Sequence, residues 1–223
     1  MKCLIVDTET IGLNPPTAPA SGVVEVAYLE IDADTLEIKD EFYSRVNPGC
    51  EIHLKASEVH GIYAGDVKDS PKLGEVFNPK DPVLNVGHNC AFDLKFLAPY
   101  YDNLVGSLCT LALARQYITD SPNHKLGTLV EHLSLPQGAA HNALADCHMT
   151  YHLLRHIVDK SGRSLQAHIA AAKKPKVVMT MPFGKYKGQK INTLPLWYIE
   201  YFRDKEIDQD LRYSFDQTLK MRL

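Results

Sequence analysis

Two carboxylates near the N-terminus have a spacing that could support metal chemistry. Asp7 and Glu9 stand two residues apart, directly after the apolar run KCLIV (2–6). Side chains at i and i+2 of a strand point to the same face, so both carboxylates should project together. Like charges this close raise each other's pKa unless a cation lies between them. The pair therefore indicates a cation site, although an acidic, solvated turn would show the same spacing.

A third carboxylate lies on a helix predicted over residues 142–160. At about 100° per residue, Asp146 falls on the apolar face of that helix. A carboxylate that faces the core is costly unless a cation meets it. Asp146 is therefore a third candidate ligand, from a distant part of the chain.

Asp93 lies in the first turn of another predicted helix, AFDLKFLAPYY (91–101), among apolar neighbours. A helix N-terminus stabilises an acid by about 0.3–1 kcal/mol, which could account for Asp93 alone. Together with Asp7, Glu9 and Asp146, however, it offers an oxygen-rich set from separate segments. Such ligands suit hard divalent cations, Mg²⁺ or Mn²⁺, and do not suit zinc.

Three histidines of the same region suggest a zinc site at first sight. His148, His152 and His156 recur every four residues and so form one stripe on the helix. A closed zinc site needs four ligands, and no CxxC or HExxH motif is nearby. The helical wheel places the stripe on the polar face, so we expect solvated histidines there.

The pattern of elements predicts an α/β fold with a mixed sheet. The predicted strands cover residues 2–6, 23–32, 36–48, 81–89 and the start of 105–118. Short links between the first three indicate an antiparallel meander, and strand–helix alternation follows. Further helices are predicted over 125–133 and 142–160. A sheet of this kind would bring the ends of several strands and helices to one edge.

Charge and composition divide the chain into an acidic body and a basic end. Residues 1–160 hold 12 Lys+Arg and 21 Asp+Glu, whereas residues 161–223 hold 12 and 6. We expect a catalytic domain over 1–160, a linker over 161–176, and a small domain over 177–223 with a strand–turn–strand and two helices. A basic end favours an anionic partner, although simple solvation would also explain it.

Cysteine usage and hydropathy indicate the compartment. Five cysteines are scattered without paired spacing, which predicts free thiols in a reducing compartment. No apolar run approaches the roughly 20 residues of a membrane-spanning helix. We therefore expect a cytoplasmic protein without a membrane partner.

Three motifs, in order along the chain, resemble those of a known nuclease family. DTET with a following Gly-Leu (7–13), HNCAFD (88–93) and HNALAD (141–146) resemble the exonuclease motifs of the DEDDh, DnaQ-like, 3′–5′ exonucleases. EVHGI (58–62) and TLALAR (110–115) resemble that family's intervening segments. FGKYKGQKI (183–191) resembles the C-terminal extension of a bacterial member, so the similarity covers nearly the whole chain.

The resemblance implies a fold, a cofactor and catalytic roles. The fold would be ribonuclease H-like, a mixed five-stranded sheet flanked by helices, plus a small C-terminal α+β segment. Asp7, Glu9, Asp93 and Asp146 would hold two Mg²⁺ ions, with Mn²⁺ able to substitute, and His141 would be the general base. The product would be a nucleoside 5′-monophosphate.

The resemblance also implies how the substrate is bound. Leu13 would wedge near the terminal base, and its pocket would be shaped by Thr10, Asn89 and Phe92. From the residues themselves, Lys185, Tyr186 and Lys187 fit strand binding, with cations on phosphates and a ring on a base. The expected partner is single-stranded or duplex DNA with a 3′ end. An RNA-trimming enzyme, a proofreading subunit of a polymerase and an inactive nucleic-acid-binding module remain alternatives.

Overall fold

The computed structural model describes residues 2–139, 141–174, 177–202, 205, 207 and 209–222. These fall into two units, Met1–Ile169 and Ala170–Leu223. Among the described residues, no helix combines the length and apolar character needed to cross a membrane.

A five-stranded sheet forms the centre of the first unit. Its strands are β1 (Lys2–Thr10), β2 (Val23–Ile31), β3 (Ile38–Arg45), β4 (Val83–Gly87) and β5 (Leu104–Cys109). The spatial order is β3-β2-β1-β4-β5. The pairs β1–β2 and β2–β3 are antiparallel, and β1–β4 and β4–β5 are parallel. The predicted mixed sheet is confirmed.

The first strand is longer than predicted. It continues past the apolar run to Thr10, so Asp7 and Glu9 lie inside β1 and not after it. In the register with β2, Asp7 is opposite Ala27 and Glu9 is opposite Glu25. The site is therefore built on a rigid strand.

Helices cover both faces of the sheet. They are α1 (Leu54–His60), α2 (Ala64–Val67), α3 (Leu73–Val76), α4 (Ala91–Leu97), α5 (Thr110–Tyr117), α6 (Leu126–His132), α7 (Ala143–Ser161) and α8 (Leu165–Ala172), with a 3₁₀ turn over Ala98–Tyr100. The first three were not predicted from the sequence, because they are short and have little apolar periodicity. Helices α6 and α7 lie within one residue of their predicted bounds and α5 ends one residue early, whereas α4 ends at Leu97, four residues before its predicted end, and a 3₁₀ turn follows it.

Alternation along β1 divides the core into two clusters. Cys3 and Ile5 belong to the cluster that includes α5, α6 and α7. Leu4 and Val6 belong to the cluster on the opposite face, with Phe96 of α4. By the same alternation, Asp7 and Glu9 face the side of α7.

The segment between the units is not the irregular linker expected over residues 161–176. Leu165–Ala172 forms helix α8, and its residues Leu165, His168 and Ile169 are buried. Leu165 and Ile169 pack into the core of the first unit. The Gly and Ser residues that suggested a linker instead end α7, where Gly162 takes a left-handed φ of 62°.

The second unit is mainly helical. It contains a 3₁₀ turn over Ile191–Thr193, α9 (Leu196–Tyr201) and α10 (Gln209–Arg222). The predicted strand–turn–strand is reduced to a single antiparallel bridge between Thr180 and Lys190. Its core joins both helices through Met181, Leu194, Ile199, Leu211 and Phe215.

Candidate active site: carboxylates between β1, α4 and α7

The N-terminal end of α7 brings two predicted site residues against β1. Asn142 caps the helix by accepting a hydrogen bond from the backbone N–H of Ala145 at 3.0 Å. Asp146 lies in the first turn and accepts the backbone N–H of His141, which has a left-handed φ of 61°. One ligand atom from each of Glu9, His141 and Asp146 lies within 4.8 Å of the others.

Asp93 enters the site from α4. Its Oδ1 accepts two hydrogen bonds from Thr8, from the backbone N–H at 3.0 Å and from the hydroxyl at 2.8 Å. Because Thr8 lies between Asp7 and Glu9, these bonds fix Asp93 beside the two carboxylates of β1. Asp93 is 3% exposed. The structure thus brings together four acidic residues predicted from separate parts of the sequence.

The electrostatics of these carboxylates favour a bound cation. Burial raises the pKa of Glu9 to about 8, and repulsion by Asp146 adds to this. Burial likewise raises the pKa of Asp93 to about 7 and that of Asp146 to about 6. Burial and the neighbouring carboxylates also raise the pKa of Asp7. No salt bridge among the described residues neutralises any of the four.

This donor set fits hard divalent cations. It offers carboxylate oxygens together with one imidazole and contains no thiolate, which is the pattern for Mg²⁺ or Mn²⁺. A cation would also relieve the repulsion that raises the pKa values. The residues present therefore fit a divalent cation such as Mg²⁺ or Mn²⁺.

A fifth acidic residue, Glu25, was missed by the sequence analysis. It lies opposite Glu9 on β2 and is 2% exposed. Its Oε1 accepts the backbone N–H of Ala143, the first residue of α7, at 2.8 Å, and its Oε2 accepts the Tyr43 hydroxyl at 2.9 Å. With both oxygens occupied, Glu25 anchors the helix that carries Asp146. The signal for Glu25 in the sequence was that it is a single acidic residue inside the apolar strand VVEVA.

The three histidines later in α7 take no part in this cluster, as predicted. They are, however, half-buried and not the solvated stripe expected from the wheel. His148 lies 2.7 Å from a carboxylate oxygen of Glu41. His152 packs edge-on against Tyr151, with ring centroids 5.3 Å apart. The helix is partly covered on this side, because β3 lies beside it.

Three of the four residues that the resemblance assigns to the terminal base line one cavity of about 560 Å³ next to Glu9. Thr10, Leu13 and Phe92 are among its walls, and Leu13 is 77% exposed. His60 closes it: its Nδ1 accepts the Ile62 N–H, so its Nε2 donates to the Thr10 carbonyl at 3.3 Å. Asn89 is not among the lining residues and has a left-handed φ of 69°.

A second cavity, of about 640 Å³, is lined by His141 and Asp146 together with Lys125 and Thr128. Because Glu9 lines the first cavity and lies within 4.8 Å of Asp146, the two cavities meet at the carboxylates. An elongated substrate could therefore pass through the site from one cavity to the other.

In the second unit, residues 184–188 form a turn, the basic turn, and one of its residues lies in an environment that the sequence did not predict. Lys185 and Lys187 are exposed, as predicted for cations that bind phosphates. Tyr186 is half-buried, with its ring 4.7 Å from that of Tyr198. Since this ring packs against the core of its unit and the Lys185 ammonium lies 5.4 Å from its centre, it is not the freely exposed ring that the sequence predicted.

The first unit matches a family model described as exonuclease over residues 4–154, a range that contains all the acidic residues above. Residues 174–210 match a model described as putative quorum-sensing-regulated virulence factor. Exodeoxyribonuclease 10 of Escherichia coli (strain K12) is 30% identical over 193 residues, which cover 84% of this chain and 83% of that protein.

Two solved structures show the same fold. Exonuclease X in complex with 5′-overhanging duplex DNA superposes with a TM-score of 0.60 at 27% identity, over 74% of this chain and 96% of that one. The nuclease domain of 3′hExo, a DEDDh family member bound to rAMP, superposes with a TM-score of 0.57 over 73% of this chain and 94% of that one. The latter is 15% identical and indicates the fold alone.

Proposed function

The chain belongs to the exonuclease family, and we propose that it hydrolyses phosphodiester bonds at the 3′ ends of DNA and releases nucleoside 5′-monophosphates. The observation that carries this proposal is the buried cluster of Asp7, Glu9, Asp93 and Asp146 with His141 beside it. Hydrolysis at a phosphorus centre needs an activated water and neutralisation of charge, and such a cluster can organise both.

The family uses divalent metal ions, and we propose two Mg²⁺ ions for this member, with Mn²⁺ as a substitute. Asp7, Glu9, Asp93 and Asp146 would hold them. Both hydrogen bonds from Thr8 go to Oδ1 of Asp93, so they leave Oδ2 to meet a cation. When bound, such a pair stabilises the charge that develops on the attacking and leaving oxygens.

His141 has the position of a general base in this proposal. Its imidazole reaches within 4.8 Å of ligand atoms of Glu9 and Asp146, and the side chain is exposed to water. Asp146 accepts a hydrogen bond from the backbone N–H of His141. This bond fixes the backbone position from which the imidazole side chain extends. A neutral imidazole in this position can accept the proton of the attacking water.

The cavity beside Glu9 would receive the terminal nucleotide. Leu13 and Phe92 present apolar surface for a base, and Thr10 adds a polar wall. We assign Asn89 to the same subsite from the family resemblance, at the turn before α4. Lys125, in the second cavity, would face the phosphates of the incoming strand.

DNA is supported as the substrate by two relatives. One is called an exodeoxyribonuclease and the other was solved with duplex DNA. We further propose that the basic second unit binds nucleic acid, with the exposed Lys185 and Lys187 on the phosphates; Tyr186, predicted from the sequence as the stacking residue, packs against Tyr198 instead. The cysteines are free in the structure, which fits a reducing cytoplasm as the place of action.

The test is hydrolysis of a 5′-labelled DNA strand, which yields a ladder of shortened labelled products if digestion starts at the 3′ end. We expect digestion with Mg²⁺, none with EDTA, and nucleoside 5′-monophosphate as the released product. A matched RNA strand, digested faster than the DNA, would favour the RNA-trimming alternative. Release of the 5′ label as a mononucleotide at the start of the reaction would contradict the proposed direction.

A further inference from the structure

The second unit exposes large aromatic side chains that its own core does not use. Trp197 is 58% exposed and Tyr201 is 59% exposed, and both lie on the short helix α9. The other face of α9 is occupied by Tyr198 and Ile199, which are buried in the unit's core. Residues four apart lie on one helix face, so Trp197 and Tyr201 form one aromatic surface.

The basic turn is held directly against this helix. A Cβ on Gly184 would lie 2.8 Å from the Tyr198 hydroxyl, and Gly184 has a φ of 72°. Tyr186 packs edge-on against Tyr198 at a centroid distance of 4.7 Å. Because Tyr186 is fixed in this way, its neighbours Lys185 and Lys187 are displayed beside α9.

One lysine lies on the aromatic surface and two more lie on the turn beside α9. The Lys205 ammonium lies 5.2 Å from the centre of the Tyr201 ring, a cation–π distance. Lys185 and Lys187 are exposed on the adjoining turn. Among the described residues, no salt bridge engages these three lysines. The surface is therefore aromatic at its centre, with Lys205 on the Tyr201 ring and two further lysines on the adjoining turn, and Glu200 is the one exposed acid of α9.

We propose that Trp197 and Tyr201 form a stacking platform for unpaired bases of a DNA strand, whose phosphates are bound by Lys185, Lys187 and Lys205. This rests on the nucleic-acid binding proposed for the unit, and it replaces Tyr186 as the stacking residue. Flat rings accept any base, and lysines pair with a backbone of any sequence, so binding is tolerant of sequence.

The charge of the surface selects this occupant over a protein. Lysine is depleted at the centres of protein interfaces, whereas exposed aromatic rings flanked by lysines are typical of single-strand binding surfaces. The basic excess of residues 161–223, with 12 Lys+Arg against 6 Asp+Glu, is complementary to a phosphate backbone.

Trp197 offers a direct test, because it is the single tryptophan of the chain. The full-length Asp146→Asn variant, in EDTA, is titrated with a short oligothymidylate while tryptophan emission is recorded. We expect saturable quenching, because a stacked base quenches an indole. A fully paired blunt hairpin of equal phosphate content should quench far less, since its bases are already stacked.

Further substitutions in the Asp146→Asn variant separate the contributions of the rings and of the lysines to strand binding. Anisotropy of a labelled oligothymidylate should show about tenfold weaker binding for Tyr201→Ala, a typical loss for one stacking contact. Tyr201→Phe keeps the ring and should bind normally, and Met221→Ala removes an exposed apolar side chain as a control. Lys187→Ala should flatten the log–log salt dependence by about 0.7.

Two results would overturn the platform. One is oligothymidylate binding by anisotropy with unchanged emission of Trp197. The other is a Trp197→Ala variant that changes oligomeric state in ultracentrifugation yet binds the strand normally, which would make the surface a protein interface. Neither measurement involves hydrolysis. Either result would therefore rule out the platform even if the enzyme digests DNA normally. Conversely, quenching by a chain without nuclease activity would contradict only the proposed hydrolysis.

Discussion

Replacing Glu9 by glutamine should stabilise the metal-free protein, and only at high pH. Burial and the neighbouring carboxylates raise the pKa of Glu9 from 4.5 to about 8 in the folded state. A raised carboxylate pKa means that the ionised form is disfavoured by folding. In the wild-type protein, Glu9 therefore costs no free energy of unfolding below about pH 4.5. The free energy of unfolding falls as the pH rises from there towards about 8.

The size of the effect follows from the two pKa values. A tenfold change in proton affinity corresponds to about 1.4 kcal/mol, so the loss for wild type reaches at most about 5 kcal/mol at pH 8. Glutamine stays neutral at every pH and keeps the shape. We therefore expect Glu9→Gln to unfold at higher urea than wild type at pH 8 and at the same urea near pH 4.5.

The assay is urea denaturation in EDTA, followed by circular dichroism across this pH range. Glu58→Gln, at an exposed site on α1, is the control and should change little at any pH. Saturating Mg²⁺ should narrow the difference at pH 8, because an ion at a hundred times its Kd adds about 2.7 kcal/mol of stability to the protein that binds it. A stability difference between Glu9→Gln and wild type that does not vary with pH would refute the electrostatic reasoning.

Three further predictions concern the remaining parts of the site. His141→Ala should lower kcat by roughly 10²–10⁴-fold, the usual contribution of a general base, while His152→Ala should have little effect in the same hydrolysis assay. Glu25→Ala should reduce kcat and destabilise the protein by about 2–4 kcal/mol, because both hydrogen bonds of a buried carboxyl group are lost. Glu25→Gln can accept the Ala143 N–H through its amide oxygen and donate its amide N–H to the Tyr43 hydroxyl, so it should recover most of the activity; equal loss in both variants would show that the carboxyl group itself, not anchoring, is what matters. Truncation after Lys174, which keeps α8, should raise KM more than it lowers kcat and weaken the salt dependence of KM, and an unchanged KM would exclude substrate binding by the second unit.

The catalytic cluster was predictable because each member has a local signature. Asp7 and Glu9 share a strand face, which the two-residue period of a strand requires. Asp146 stands out as an acid on the apolar face of a long periodic helix. The order of the three motifs then assigned roles that periodicity alone could not, and the family match confirms the resemblance.

Contacts between distant segments explain what the sequence did not reveal. Glu25 is an ordinary acid in a strand until Ala143, 118 residues later, donates its N–H to it. The end of β1 was placed too early because acidic residues usually mark a turn, whereas here they line a site. Tyr186 resembled a stacking residue because only the packed unit shows Tyr198 against its ring.

The central claim is that the carboxylates of β1, α4 and α7 form the metal-dependent hydrolytic site. The most direct test compares Asp146→Asn with Asp159→Asn, an exposed acid on the same helix, for hydrolysis of a 5′-labelled DNA strand in Mg²⁺. We predict that Asp146→Asn keeps the circular dichroism spectrum but loses hydrolysis, and that Asp159→Asn digests the strand at the wild-type rate. Normal turnover by Asp146→Asn would contradict the account.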